Sequence, residues 1–440
     1  MPGDAKPATL EKTSMQDLAA IQPRQSTLRT ALAGLIGNVL EWFDFAVYGY
    51  FASDIGSQFF PREDHTARQL LAFTVFALGF VARPVGGLVL GRVGDRIGRR
   101  ALLTLSIALM GGATLMLGLL PTYEQVGILA PVLLVAMRLI QGFSLGGEFT
   151  GSMVYTTEKA SPLMRGIVSS STAVGTTLGF ILGSGSAWLV NAWLPTVEVS
   201  RWGWRIPFVA SVSFCLLGWY VRRKITETAE GLKAAMARPP LLPSLVSDWL
   251  PIVQTFGIVG MTNAAYYLTF TYAVERRKSL TGEGGEVFLL ANTLSLVVVL
   301  LSKPLGGWVS DRFGRRRLML LLTVATMSFI YFSLQQMLFG SPPQFIGGQL
   351  LLAVPIGMAL GLQGAMVVEI FPLRTRVTSM SFAYSVTLAL AGGTAPLVST
   401  WLIERLQQPL APSYYIIAYG IIGLAIMAPM SETNRRPLDQ

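Results

Sequence analysis

Residues 83–100 read Arg-Pro-Val-Gly-Gly-Leu-Val-Leu-Gly-Arg-Val-Gly-Asp-Arg-Ile-Gly-Arg-Arg. An apolar run opens on an arginine and ends at an aspartate set among further arginines. Residues 303–317 repeat the passage as Lys-Pro-Leu-Gly-Gly-Trp-Val-Ser-Asp-Arg-Phe-Gly-Arg-Arg-Arg. Gly91-x-x-x-Asp95-Arg96-x-Gly98-Arg99-Arg100 aligns with Gly307-x-x-x-Asp311-Arg312-x-Gly314-Arg315-Arg316, half a chain length later. A second pair agrees with it: Glu158 precedes Arg165 by the same interval as Glu369 precedes Arg376, and the two are separated by nearly the same offset. Two independent matches at nearly one offset predict a chain built from two related halves. The glycines permit tight turns and close helix approach. The aspartate can pair with arginines or sit at the N-terminus of a neighbouring helix. A clasp of that kind would break and re-form if the halves rock, so Asp95, Arg96, Arg99, Arg100, Asp311, Arg312, Arg315 and Arg316 are candidate cytoplasmic gate residues. Glu158, Arg165, Glu369 and Arg376 join them as gate or loop-pairing residues.

The surroundings of the repeat are apolar. Of 440 residues, 52% are hydrophobic and 13% are charged, and the mean hydropathy is +0.53. A soluble domain carries about 25% charged residues, and the short loops here would leave nothing to wet a soluble exterior. Apolar runs of about 20 residues, enough to cross roughly 30 Å of hydrocarbon, recur along the chain. Helices are expected over 30–54, 67–91, 101–120, 125–157, 166–192, 203–222, 247–274, 287–310, 317–336, 343–371, 377–406 and 412–431. The runs are too long for barrel strands. The expected fold is therefore an all-α membrane protein with twelve transmembrane helices in two pseudo-symmetric six-helix bundles. The bundles are 30–222 and 247–431, joined by a cytoplasmic linker at 223–246 and flanked by cytoplasmic tails at 1–29 and 432–440.

Orientation follows from Lys and Arg. With the N-terminus inside, 23 of the 34 fall on the cytoplasmic side, 8 outside and 3 within the membrane. This inside bias accounts for the net charge of +10 through anionic lipid at the inner surface, and no nucleic-acid partner is expected. The polar residues 1–29 do not resemble a cleavable signal peptide. His65 reads as a loop residue, and Cys215 lies alone in an apolar stretch. One His and one Cys offer no nucleophile–base motif and no metal cluster, so neither an enzyme nor a cofactor is expected. A channel would need a selectivity element, and a non-transporting sensor an added soluble domain.

Two related halves around a central site are the physical recipe for alternating access. The loop motif, span count and 6+6 division resemble the major facilitator superfamily. Within it the chain resembles the metabolite:proton symporter family, whose members include proline/betaine, citrate and 2-oxoglutarate carriers. The resemblance rests on Gly37-Asn38-x-x-Glu41-Trp42-x-Asp44-Phe45, Ala82-Arg83-Pro84-Val85-Gly86-Gly87, Gln141-Gly142-Phe143-Ser144-x-Gly146-Gly147-Glu148 and Trp202-Gly203-Trp204-Arg205-Ile206-Pro207-Phe208. It implies a proton-coupled secondary carrier in a bacterial inner membrane, with both termini cytoplasmic. Thr262-Asn263 followed by Tyr266-Tyr267, Gly147-Glu148-Phe149-Thr150-Gly151 and Ala411-Pro412-Ser413-Tyr414-Tyr415 look most like the proline/betaine subgroup. Residues 432–440 carry no heptads, so osmotic gating by a C-terminal coiled coil is not expected.

A charge near mid-membrane costs several kcal/mol and marks a functional site by default. Glu41, Asp44, Arg83, Arg138, Glu148 and Lys303 are the candidates. Burial favours a protonated carboxylate, and a nearby arginine favours the ionised one. A substrate that borrows the arginine would release the carboxylate to take a proton. Glu41, Asp44 or Glu148 could serve with Arg83 or Arg138. Asn263, Tyr266 and Tyr267 add polar and aromatic groups on the seventh helix, and Trp42 and its aromatic neighbours crowd the first. Aromatics hold a quaternary ammonium by cation–π attraction, while an arginine holds a carboxylate. A small zwitterion such as proline or glycine betaine fits this set; a carboxylate such as citrate or 2-oxoglutarate fits the three bases equally. Monomeric function is expected, since one chain supplies both halves.

Overall fold

The structure, a computed structural model, describes residues 27–60, 64–97, 99–146, 148–222, 241–281, 285–434, 436 and 438. Side chains at 27–37, 65, 91–97, 99–103, 148, 217–219, 221–222 and 241–242 lie outside that description. So do the expected tail up to residue 26 and most of the linker 223–246.

The described chain is helix on helix. In order, the long rods are α1 (Thr27–Tyr50), α2 (His65–Ile97), α3 (Arg99–Leu119), α4 (Leu129–Ser144 continued by Glu148–Lys159), α5 (Arg165–Trp193) and α6 (Arg205–Arg222). Then come α7 (Trp249–Tyr267, a π-helical turn Leu268–Tyr272, and Ala273–Thr281), α8 (Glu286–Phe313), α9 (Arg315–Phe339) and α10 (Pro342–Ile370). The last two are α11 (Arg376–Thr387, a π-helical turn Leu388–Gly393, and Ala395–Leu406) and α12 (Ala411–Met427). Among the described residues, seven helices are long and apolar enough to cross a membrane: α2, α4, α5, α8, α9, α10 and α11. Shorter apolar helices run over Thr104–Leu119, Arg205–Leu216 and Ala411–Met427.

Some boundaries differ from the expectation. The first helix stops at Tyr50 and a separate short helix, Ala52–Phe59, follows. The fourth breaks after Ser144, beside Gly146, where the backbone freedom of glycine weakens a helix interior. His65 opens α2 rather than lying in a loop. Leu241–Ser247, read mostly as linker, form a short helix.

Glycine sets the closest contacts. A Cβ on Gly86 of α2 would lie 2.6 Å from Phe143 Cα of α4, and one on Gly306 of α8 would lie 2.5 Å from Met358 Cα of α10. The backbones touch where a side chain would hold them apart, the usual device for helix association in lipid. Across the two chain halves, α5 packs extensively on α8. There a Cβ on Gly307 would come 2.5 Å from Gly166 O.

Candidate functional site: a buried ion pair in an aromatic chamber

The charges of α1 are not one cluster. Glu41 and Asp44 are both 1% exposed, yet they engage different bases. Glu41 Oε1 lies 2.6 Å from Arg83 Nη2 of α2. Asp44 Oδ2 lies 3.0 Å from Arg138 Nη1 of α4. Residues three apart on a helix lie only about 60° apart around its axis, so the two acids share a face and part by meeting different neighbouring helices.

The Asp44–Arg138 pair has further partners, while Arg138 Nε and Nη2 and Asp44 Oδ1 are buried without a hydrogen bond. Arg138 also donates to Gln141 Oε1 at 2.9 Å, and Gln141 donates to Thr114 Oγ1 of α3 at 3.0 Å. The Arg138 guanidinium lies 3.8 Å from the centre of the Tyr48 ring and 5.0 Å from that of Phe45. Hydrogen bonds and stacking hold this arginine on several sides and join α1, α3 and α4.

The Glu41–Arg83 pair is packed against a cluster of rings. Arg83 lies 5.3 Å from the Trp42 ring centre and 5.9 Å from that of Phe80. Trp42 in turn meets Phe149 of α4 at 5.8 Å and Phe180 of α5 at 6.1 Å. Phe180 meets Tyr266 at 5.0 Å and Tyr267 at 5.8 Å on α7, and Phe149 meets Tyr384 of α11 at 5.5 Å. The second π-helical turn borders this cluster: a Cβ on Gly392 would lie 2.9 Å from the Tyr267 ring, and one on Gly393 would lie 2.6 Å from the Phe80 ring. Such turns often mark functional sites inside helices. Phe80, Phe149, Phe180 and Tyr384 were not singled out by sequence reasoning as site residues, because a lone aromatic in an apolar helix carries no periodic signal.

Several polar atoms in and beside the cluster are buried and without a hydrogen-bond partner: Arg83 Nε and Nη1, Trp42 Nε1, Tyr266 OH and Tyr267 OH. Native interiors satisfy nearly all such groups. Unsatisfied donors beside an ion pair are what a binding site for a polar, acceptor-bearing ligand presents, and Arg138 Nε and Nη2 share that state beside the other pair. Asn263, by contrast, donates to Val259 O of its own helix at 2.9 Å.

Lys303 stands apart from both pairs. Its ammonium donates to Ala173 O at 2.6 Å and Thr176 Oγ1 at 3.0 Å, both on α5. Among the described residues it has no acidic partner. It ties α8 to α5 across the chain halves.

The second copy of the repeat forms a clasp. Asp311 accepts from Gly166 N at 2.8 Å and Ile167 N at 3.0 Å, capping the N-terminus of α5, and it pairs with Arg315 at 3.1 Å. Both geometries expected for the aspartate are present together. Arg315 holds Glu369 in a two-pronged pair at 2.6 and 2.9 Å. The Glu–Arg repeats cross-connect: Arg376 pairs with Glu158 at 2.6 Å, and Arg165 lies 4.0 Å from Glu369. Arg312 departs from the expected set, lying 4.1 Å from the Trp308 ring centre. Arg316 also departs, donating to Met427 O at 3.2 Å and to Ala428 O at the end of α12. The side chains of Asp95, Arg96, Arg99, Arg100 and Glu148 lie outside the described residues. A polar segment after α12 adds to the clasp: Glu432 accepts from Arg315 N at 2.7 Å, Arg165 donates to Arg436 O at 2.6 Å, and Arg376 donates to Leu438 O at 2.9 Å.

Buried charges bridging paired helices, with a clasp between chain halves, define a membrane carrier, and the comparisons agree. Residues 30–230 match the profile of sugar (and other) transporters, and residues 279–438 match that of the major facilitator superfamily. The proline/betaine transporter of Escherichia coli (strain K12) is 31% identical over 98% of this chain and 88% of its own length. A glycine betaine/proline/ectoine/pipecolic acid transporter of Dickeya dadantii (strain 3937) is 32% identical over 98% of this chain and 88% of its own length. The citrate-proton symporter of Klebsiella pneumoniae is 34% identical over 88% of each chain. In fold, a proton:xylose symporter solved with a bound bromodeoxyglucose superposes with a TM-score of 0.73 at 17% identity, covering 94% of this chain and 97% of that one. The chain is a membrane transport protein of the major facilitator superfamily, closely related to the bacterial proline/betaine transporters.

Proposed function

We propose that this chain is a proton symporter that imports a small zwitterion such as proline or glycine betaine by alternating access. Two six-helix bundles, 30–222 and 247–431, would rock about the central site in a bacterial inner membrane, with twelve spans and both termini cytoplasmic. The carrying observation is the Glu41–Arg83 pair packed against a cluster of aromatic rings, with two guanidinium nitrogens of Arg83 unsatisfied. A solute carboxylate takes Arg83 through Nη1 and Nη2, displacing Glu41 from Nη2, in the two-pronged geometry that arginine favours. Its ammonium then lies among Trp42, Phe180 and Tyr267, whose ring faces attract cations. As Arg83 turns to the solute, Glu41 loses its counter-charge in a dry site and takes a proton. Solute and proton therefore load together, which is the coupling a symporter needs. Asp44 and Arg138, held by Gln141 and Tyr48, position α1 and α4.

A second reading, proton-coupled uptake of an organic carboxylate, draws on the likeness to the citrate-proton symporter. The same Arg83 would then hold one carboxylate, and the rings would serve as walls only.

Uptake into proteoliposomes with an imposed pH gradient, inside alkaline, separates the two. Radiolabelled betaine, proline, citrate and 2-oxoglutarate are tested with and without a protonophore. Accumulation of betaine or proline, abolished by the protonophore, is expected. Accumulation of the carboxylates alone overturns the zwitterion reading.

A further inference from the structure

A polar chamber lies at the far end of the helices that form the clasp. Helix α5 carries Gly166 in the clasp near its start and Asn191 in this chamber near its end. At about 1.5 Å per residue the two lie roughly 38 Å apart along the helix axis. On α2, Gln69 lines this chamber while Arg83 serves the central site. They lie roughly 21 Å apart by the same helical rise. The two sites are therefore distinct. This one has a volume of about 230 Å³ and is lined by Arg68, Gln69, Asp54, Lys278, Asn191 and Ser200, among others, from both chain halves. That is below the roughly 300 Å³ at which drug-sized sites begin, and suits a small solute.

Most of its charges are spoken for. Lys278 pairs with Asp54 at 2.8 Å and with Glu275 at 3.2 Å, and it donates to Tyr50 O at 2.9 Å. Asp54 also accepts from Ser200 Oγ at 2.5 Å, and Glu275 accepts from Ser53 N at 3.0 Å. These bonds join the short helix Ala52–Phe59 to α7 at this end. Two groups are not spoken for. Arg68 makes no ion pair among the described residues, and its Nε is buried without an acceptor. Gln69 is 1% exposed and its Oε1 is buried without a donor. An orphaned donor on a cation and an orphaned acceptor, side by side in a small chamber, complement a ligand with the opposite pair.

We propose that this chamber is a second solute site, which takes an amino-acid zwitterion carrying at least one N–H before it reaches Arg83. The carboxylate accepts from Arg68 Nε; the ammonium N–H donates to Gln69 Oε1, with the Asp54 carboxylate nearby favouring positive charge. The chamber distinguishes proline, which has N–H groups, from betaine, which has none. The proposal rests on the zwitterion reading of the central site for its choice of probes.

The test is protection of a cysteine. Ser57, which lines the chamber and whose hydroxyl bonds only within its own helix turn, is changed to cysteine in a Cys215→Ser background. Arg83→Gln is added to disable the central site. Labelling by a membrane-impermeant maleimide is timed with proline, betaine or citrate present. Proline at about ten times its Kd is expected to slow labelling about tenfold by simple occupancy, with betaine and citrate much weaker. Adding Arg68→Gln removes the protection. If Arg68→Gln fails to insert, Gln69→Leu serves, lowering proline to the level of betaine. Protection that vanishes with Arg83→Gln alone, survives Arg68→Gln, or is equal for proline and betaine overturns the site. The proteoliposome assay fails separately: a chain that accumulates no zwitterion loses the transport reading, while the protection experiment still reports on this chamber.

Discussion

Neutralising Asp311 tests the clasp most directly. The carboxylate accepts two backbone N–H groups at the start of α5 and pairs with Arg315, and the residue is 5% exposed. Asp311→Asn keeps the shape but leaves one acceptor for two donors and turns an NH₂ toward a backbone N–H. A lost helix cap costs about 1 kcal/mol, and a hydrogen bond to a charged group contributes about 1.5–3 kcal/mol. The state in which the clasp is formed should lose about 2–4 kcal/mol in total. At about 1.4 kcal/mol per decade, its population falls roughly 30- to 700-fold relative to states in which the clasp is open. The reporter is Ser169→Cys in a Cys215→Ser background. Ser169 lies on α5 against Gly364 of α10, is 2% exposed, and its hydroxyl makes no hydrogen bond. Maleimide labelling of the cysteine introduced there should quicken in Asp311→Asn, and uptake turnover should fall more than solute affinity does. Unchanged labelling together with unchanged uptake would refute the clasp as a conformational latch.

Four further outcomes are expected. Arg83→Gln should weaken solute binding about ten- to a hundredfold, the worth of one charge-assisted hydrogen bond, measured by equilibrium binding, with normal membrane levels; loss of the protein from the membrane instead would mark Arg83 as structural. Gly307→Ala places a Cβ 2.5 Å from Gly166 O and 2.9 Å from Ile167 Cα. It should reproduce the quickened labelling of Asp311→Asn, and normal labelling would show that α5 and α8 can shift apart without cost. The swap Glu158→Arg with Arg376→Glu should recover part of the transport lost by either single change. The gain is modest, about 1 kcal/mol, because Glu158 is partly exposed. The segment after α12 should stay docked at neutral pH. Burial alone would push Glu432 up, but backbone N–H groups from Arg316, Asn434, Arg315 and Thr433 together outweigh it and hold the carboxyl below its ordinary range. A depressed carboxyl pKa stabilises docking above the undocked value and loses that contribution as pH falls through the docked one. Release is therefore expected only below about pH 4, read as falling anisotropy of a dye at Leu438→Cys; release near pH 7 would contradict it.

The all-α class and the recurrence of long apolar helices were legible in the sequence because each rests on local pattern. Hydrophobic length sets a helix in lipid without reference to the rest of the chain. The repeated Asp-Arg-x-Gly-Arg passage announces itself by identity alone. The intramembrane charges were equally legible, since so few are tolerated there. Which acid meets which base was not. Glu41 and Asp44, three positions apart, differ in partner because one meets α2 and the other meets α4, and only helix packing decides that. The same holds for Lys303, which sequence grouped with Arg83 and Arg138 but which packing turns onto a carbonyl of α5. The crossed pairs Glu158–Arg376 and Arg165–Glu369 join residues from opposite halves of the chain. Phe149, Phe180 and Tyr384 become one cluster only when α4, α5 and α11 converge. Sequence thus determined which residues must avoid lipid; tertiary structure decided where each one found company, because that choice is made by the shape of neighbouring helices and not by the helix that carries it.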